Sequence, residues 1–196
     1  IGEKFIDGHP SALMLGDNIF HGKDFYKKLK EANESNNNTI FCIEVPDPER
    51  FGICELDKNQ RVISLEEKPI IPKSKLAVTG LYFYDSNAAE YAKKVKRSVR
   101  GELEITDLNI MYMKQNNLFA QALYEDFIWI DAGTVNSFLD AGNIVKKIQT
   151  QNQEKISCLE KIAFESGFIS AKQVTMLAKK YPKGEYSEYI EKLVKQ

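Results

Sequence analysis

A chain of 196 residues can build one ordinary domain with a real core and a small appendage. Its 43 % hydrophobic and 28 % charged residues are those of a soluble globular protein, and no apolar run approaches the roughly 20 residues that cross a bilayer. A net charge of −1 excludes nucleic-acid binding by bulk phosphate neutralisation, while leaving room for a local basic pocket.

The chain opens at Ile1 with neither methionine nor signal peptide, on a segment that reads as the end of an element, so an N-terminal piece is expected to be missing. Residues 11–15 (SALML) form an apolar run ending at Gly16, the pattern of a buried strand that feeds a loop. Phe25, Tyr26, Leu29 and Ala32 recur at helical spacing within 23–35, and the asparagine run 36–38 stops that helix. Residues 39–45 (TIFCIEV) read as the next strand, and strand, helix, strand at these lengths predicts an α/β sheet. Strands at 53–56 and 62–65 flank the turn Asp57-Lys-Asn-Gln as a hairpin. A strand at 78–84 precedes a helix at 86–96 and another at 106–115, with Thr106 as its N-cap. The aromatics Tyr82, Phe83 and Tyr84 alternate and should be largely core, while Gly80 marks a close approach of backbone to a ligand. Strands at 118–124 and 127–130 lie around Glu125-Asp126, and a capped amphipathic helix covers 134–150. Beyond it strand signals fade, leaving helices at 170–180 and 185–195 on either side of Pro182-Lys-Gly. The division expected is an α/β core over 1–150 and a helical tail over 151–196 that packs on the core or on another subunit.

Cys42, Cys54 and Cys158 are an odd, dispersed set with no CxxC, and only His9 and His21 could join them, which argues against structural zinc. Buried thiols in a reducing compartment, hence the cytoplasm, are the expectation.

Two aspartates carry the first chemical signal. Leu15-Gly-Asp17-Asn18 and Trp129-Ile-Asp131-Ala-Gly-Thr134 each set a carboxylate after an apolar strand, at the sheet edge where open α/β folds bind ligands. Turn chemistry explains one such aspartate equally well; a pair could share Mg²⁺, which takes one or two carboxylates plus substrate phosphates. Glu66-Glu67-Lys68-Pro69 is a solvated charge run on the plain reading. Its place before an X-Pro turn instead suits Lys68 to a phosphate, as a point charge, and Glu67 to sugar hydroxyls. In Arg100-Gly-Glu-Leu-Glu-Ile-Thr-Asp107 the acidic residues complement a helix dipole, or the loop orients the site.

In order and spacing, LGDNIF (15–20), DPERFG (47–52), SLEEKP (64–69), AVTGLYFYD (77–85), RGELEITD (100–107) and WIDAGT (129–134) resemble the motifs of glucose-1-phosphate thymidylyltransferases. The resemblance covers nearly the whole chain. It implies a Rossmann-like mixed sheet flanked by helices, of the nucleotide-diphospho-sugar transferase type, incomplete at the N-terminus. It implies transfer of a nucleotidyl group from dTTP to glucose 1-phosphate, giving dTDP-glucose and pyrophosphate on the way to dTDP-rhamnose-type sugars. It further implies Asp17 and Asp131 as Mg²⁺ ligands, Asn18 beside the ligand and Lys68 on the sugar phosphate. Glu67, the backbone at Gly52 and Val78, and Thr79 would hold the glucose. A homotetramer follows from the same resemblance; net charge and the lack of a long apolar run argue against nucleic acid and membrane as partners.

Three departures qualify it. The Gly-rich GGxGTRLxPxT segment that cradles the triphosphate has no counterpart here, so the chain alone is expected to be inactive. Asp131-Ala-Gly-Thr-Val135 replaces the usual Asp-Thr-Gly-Thr-His, and Lys23 and Glu165 stand where relatives with a regulatory nucleotide site carry His and Arg. The rival readings are a related transferase using UTP or another sugar phosphate, and a non-catalytic assembly module.

Overall fold

The computed structural model describes residues 2–124 and 127–195, which form two compact units, Ile1–Leu139 and Asp140–Gln196. The first is a mixed α/β layer structure. After a short helix α1 (Glu3–Ile6) come β1 (Ser11–Met14), β2 (Asn18–His21), α2 (Phe25–Glu34) and β3 (Thr39–Glu44). The hairpin β4 (Gly52–Leu56) and β5 (Val62–Glu67) follows, then the long β6 (Leu76–Tyr84), α3 (Ala88–Ala92) and α4 (Ile105–Lys114). The unit continues through β7 (Phe119–Leu123) and β8 (Ile128–Asp131) to the first turn of α5 (Val135–Asn152), whose residues from Asp140 on belong to the second unit. The Glu125-Asp126 connection lies outside the described residues.

The main sheet runs β5-β4-β6-β3-β7, with β1 also paired to β6. Only β3 and β7 are parallel; the other pairs are antiparallel, which is the mixed sheet expected. β3 lines one edge of β6 from Leu76 to Phe83. β1 and β4 therefore share the other edge, β1 beside Leu81–Tyr84 and β4 beside Ala77. Between them, at Val78–Gly80, that edge is open, and the 15–18 turn enters it: Leu15 N–H donates to the Gly80 carbonyl at 2.8 Å. β2 and β8 leave the main sheet and form a separate antiparallel ribbon in which Asn18 faces Asp131.

Both faces of the sheet are covered because its strands alternate apolar residues on both sides. Ile40, Cys42, Tyr82 and Tyr84 pack against Ala88 of α3 and Leu108 and Tyr112 of α4. Phe41, Leu81 and Phe83 pack against Phe25, Leu29 and Ala32 of α2, with Phe20 and Phe127 from the ribbon side. The predicted alternation of Tyr82, Phe83 and Tyr84 is thus real, and Tyr82 and Tyr84 stack at 5.8 Å.

Several elements differ from the sequence reading. β1 was expected to be buried, yet Leu13 and Met14 are 41 % and 52 % exposed. Among the described residues β1 pairs only with β6, and its apolar side chains are only partly covered. The ribbon strand β2 was missed because Asn18–His21 is too short and too polar to show a period. The helix expected at 86–96 closes after Ala92. Thr106 is not an N-cap: α4 starts one residue earlier, behind Glu104, and its hydroxyl serves another partner. Thr134, by contrast, does cap α5, exchanging hydrogen bonds with Ser137.

The second unit carries one helix more than expected, α6 (Leu159–Glu165), ahead of α7 (Ala171–Ala178) and α8 (Glu185–Lys192). Cys158, Val174, Ala178 and Ile190 form its core. Within that core lies a carboxylate, Glu160, only 7 % exposed, which accepts hydrogen bonds from the Tyr181 and Tyr186 hydroxyls at 2.5 and 2.7 Å. Burial alone would raise its pKa; the two phenols outweigh burial and hold it below the ordinary carboxylate value. A depressed folded pKa gives stability that is present above the unfolded pKa and lost as pH falls through the folded one. Glu160→Gln should therefore cost about 1–3 kcal/mol at pH 7. The wild-type-minus-variant difference should shrink as pH drops below about 4.3, read by urea unfolding followed by circular dichroism. A difference constant with pH would show that the charge does not matter.

Candidate active site

The opening in the β6 edge gathers most of the residues singled out from the sequence. Asn18, 8 % exposed, reaches over Gly80 and accepts hydrogen bonds on Oδ1 from the Gly80 N–H at 3.1 Å and the Trp129 Nε1–H at 2.6 Å. Its Nδ2 donates to Asp17 Oδ1 at 2.8 Å. A Cβ on Gly80 would lie 2.7 Å from the Asn18 amide carbon, so glycine is required there by a protein side chain. The close approach at Gly80, expected to be to a ligand, is made by the Asn18 side chain.

Asp17 and Asp131 come together through the ribbon. The Ala132 N–H donates to the Asp17 carbonyl at 2.8 Å, extending the register that sets Asn18 opposite Asp131. The two carboxylates converge at Gly133: a Cβ there would lie 3.2 Å from Asp131 Oδ1 and 3.3 Å from Asp17 Oδ2. Gly133 also donates its N–H to Asp131 Oδ1 at 3.2 Å. No group of three or more His, Cys, Asp or Glu gathers anywhere among the described residues. Two oxygen-donor carboxylates around a space kept clear by a glycine could hold a hard divalent cation, its other positions filled by water and phosphate oxygens.

A second feature lies beside Val78 of β6. Gly52 pairs with Glu67, and a Cβ on Gly52 would meet Glu67 Oε2 at 3.1 Å, Thr106 Oγ1 at 3.3 Å and Val78 Cβ at 4.0 Å. The missing side chain thus leaves a recess floored by backbone and walled by a carboxylate and a hydroxyl. Thr106 donates its hydroxyl to Glu67 Oε2. Arg100 lies 3.8 Å from Glu67 Oε1 and is itself flanked by Glu102 and Glu104 at 3.1 and 3.6 Å. The 100–107 segment therefore orients the recess, and Thr106 belongs to it, which the capping reading concealed. Burial and then the charge of Glu67 push the Tyr82 phenol well above its ordinary pKa, so it stays protonated beneath the recess.

Val78 and Gly80 lie two residues apart in β6, so the recess and the Asn18 clamp are neighbours along that strand, where its register with β3 shifts. Thr79, between them, is fully buried and its hydroxyl donates to the Phe41 carbonyl at 2.9 Å, so its side chain does not join the recess. Lys68 directly follows β5, exposed, with no ion pair to a described residue. Its φ of 46° is left-handed, the reverse of the extended backbone that a following proline favours, and its N–H is tied to the Phe51 carbonyl at 3.0 Å. Such a conformation costs on the order of 1–3 kcal/mol. Lys23 lies elsewhere in the first unit, in a depression shared with Lys27, Lys28, Tyr124 and Phe127, and Glu165 pairs with Lys161 in the second unit.

Residues 1–148 match the family profile of nucleotidyl transferases. Among curated proteins, the glucose-1-phosphate thymidylyltransferases of Neisseria meningitidis and Mycobacterium tuberculosis are 45 % and 37 % identical; each alignment takes in 100 % of this chain and 68 % of the relative. That of Xanthomonas campestris pv. campestris is 44 % identical, over 100 % of this chain and 67 % of the relative. A solved structure from Bacillus anthracis, described as a glucose-1-phosphate thymidylyltransferase in complex with a sucrose, superposes with a TM-score of 0.62 at 39 % identity. It covers 73 % of this chain and 57 % of its own. An apo UDP-glucose pyrophosphorylase shares the fold, with a TM-score of 0.68 at 21 % identity over 76 % of this chain and 58 % of its own. The chain thus spans about two thirds of its curated relatives and less of the solved structures.

Gly133→Ala tests the convergence. The added methyl would enter the space between the carboxylates, so titration with Mn²⁺ should show binding weakened about tenfold or more. The melting temperature should barely move, since Gly133 carries no left-handed backbone. Unchanged Mn²⁺ affinity would mean that the two carboxylates do not act together.

Proposed function

Because the chain belongs to the nucleotidyl transferase family, we propose that the full-length protein moves the nucleotidyl group of dTTP onto glucose 1-phosphate, giving dTDP-glucose and pyrophosphate. The observation that carries this reading is that a carboxylate pair and a polar recess are tied to neighbouring residues of β6, Gly80 through Asn18 and Val78 through Gly52. One suits a phosphate-bound cation, the other a hydroxylated ring. Identities of 37–46 % to thymidylyltransferases favour dTTP over UTP, since the uridine-using neighbours, at about a fifth identical, speak to the fold alone.

In this reaction a phosphate oxygen of glucose 1-phosphate attacks the α-phosphorus of dTTP, and the bond from that phosphorus to the pyrophosphate oxygen breaks. The attacking oxygen is already ionised, so no strong general base is required. The chain's work is to position the sugar phosphate in line and to offset negative charge. Glu67, fixed by Thr106 and Arg100, would accept hydrogen bonds from sugar hydroxyls, while the backbone at Gly52 and Val78 would close the floor of the recess. The Lys68 ammonium, carried on a fixed backbone next to Glu67, would neutralise the sugar phosphate. Asp17 and Asp131 would hold Mg²⁺, which when bound supplies a counter-charge for the phosphates. Asn18 would stand beside the ligand chiefly by keeping Asp17 in place. Thr79, turned to the Phe41 carbonyl, is left out of the assignment. Three buried free thiols support a cytoplasmic setting.

In the full-length protein, Asp17→Asn and Asp131→Asn should each lower pyrophosphate release from dTTP and glucose 1-phosphate by at least about a hundredfold. Glu67→Gln should instead raise KM for glucose 1-phosphate by about tenfold, with a smaller effect on kcat. Wild-type turnover in either aspartate variant would sink the metal assignment, and an unchanged KM would remove Glu67 from the sugar site.

A further inference from the structure

The Asn18 amide is held in one orientation, and the reason lies in donor arithmetic. An amide has an acceptor end and a donor end, and the two can be told apart only by their neighbours. Two N–H groups, from the Gly80 backbone and the Trp129 indole, converge on the same end at 3.1 and 2.6 Å. Neither can accept, so that end is the oxygen. The opposite end is then the NH₂, and it faces Asp17 Oδ1 at 2.8 Å. The backbone donor is fixed by the sheet. Trp129 is fixed from two sides, by its register in β8 opposite Phe20 and by an edge-to-face contact with Phe51 at 5.1 Å. Without the indole N–H, the oxygen end keeps one donor, and a turned amide would present its oxygen to the Asp17 carboxylate, an acceptor facing an acceptor.

We propose that Trp129 is a positioning residue for the carboxylate pair: its Nε1–H fixes the Asn18 amide, whose NH₂ in turn fixes the Asp17 carboxylate toward Gly133 and Asp131. The proposal rests on the reading of Asp17 and Asp131 as divalent-cation ligands. Trp129 touches neither the cation nor Asp17 in this arrangement; it acts through Asn18. Groups that orient metal ligands by hydrogen bonding typically carry ten- to hundredfold effects on affinity.

The test is a double-mutant cycle on the full-length protein, read by Mn²⁺ titration with electron paramagnetic resonance. Trp129→Phe keeps the ring that packs on Phe51 and removes only the donor, so it should fold as wild type and bind Mn²⁺ about tenfold more weakly. Asn18→Ala should weaken binding by itself, and in that background Trp129→Phe should cost nothing further, because the intermediary is gone. A merely structural role for the indole would give additive losses. Additivity, or wild-type Mn²⁺ binding by Trp129→Phe, overturns the proposal. If Asp131→Asn abolishes Mn²⁺ binding while Trp129→Phe leaves it intact, the positioning role falls and the metal reading stands. If Mn²⁺ binding is indifferent to Asp131→Asn, both fall.

Discussion

Everything functional in the first unit depends on how one strand is shared. β6 has two edges, and β3 takes one of them along nearly its whole length. The other is divided end to end between β1 and β4, with the hydrogen-bonding groups of Val78–Gly80 left between the two. Buried backbone donors and acceptors must find partners, and here the Leu15 N–H and the Asn18 side chain supply them. That requirement draws the 15–18 turn into the sheet and sets Asp17 at its mouth. It also brings the β2–β8 ribbon, and with it Asp131, to the same place. The divided edge is therefore the origin of the carboxylate pair.

Three successive residues of β6 serve different neighbours: Val78 borders Gly52, Thr79 turns its hydroxyl to the Phe41 carbonyl, and Gly80 meets Asn18. Two glycines act by absence here: Gly52 opens the recess and Gly80 admits Asn18. A third, Gly133, leaves clear the spot on which the carboxylates converge. Replacing any of the three by a larger residue would fill a space that the neighbouring polar groups need.

The main strands and the amphipathic helices were legible because burial on both sheet faces leaves a strong apolar pattern, as at 39–45 and 76–84. The two aspartates were legible as well, since each follows an apolar run at a strand end. What stayed hidden depends on partners distant in sequence. β1 carries the composition of a buried strand but is only partly covered by described residues, and composition does not report coverage. Thr106 looked like a cap because threonine near a helix start usually is one; only the fold shows Glu67 waiting for its hydroxyl. Thr79 was carried in by resemblance, and its bond to the Phe41 carbonyl removes it. Lys68 could not be given a left-handed backbone from its sequence, because a following proline argues for the opposite.

Trp129 has one more consequence. It is the only tryptophan of the chain, half-buried against Phe51, with its indole N–H bound to the Asn18 oxygen. Indole emission responds to the polarity and hydrogen bonding around the ring, so the tryptophan fluorescence of this chain arises at the mouth of the carboxylate site. No label need be introduced: a cation, a nucleotide or a sugar phosphate that disturbs the Asn18 clamp would announce itself in the intrinsic spectrum, and the time course of each arrival would be open to stopped-flow optics.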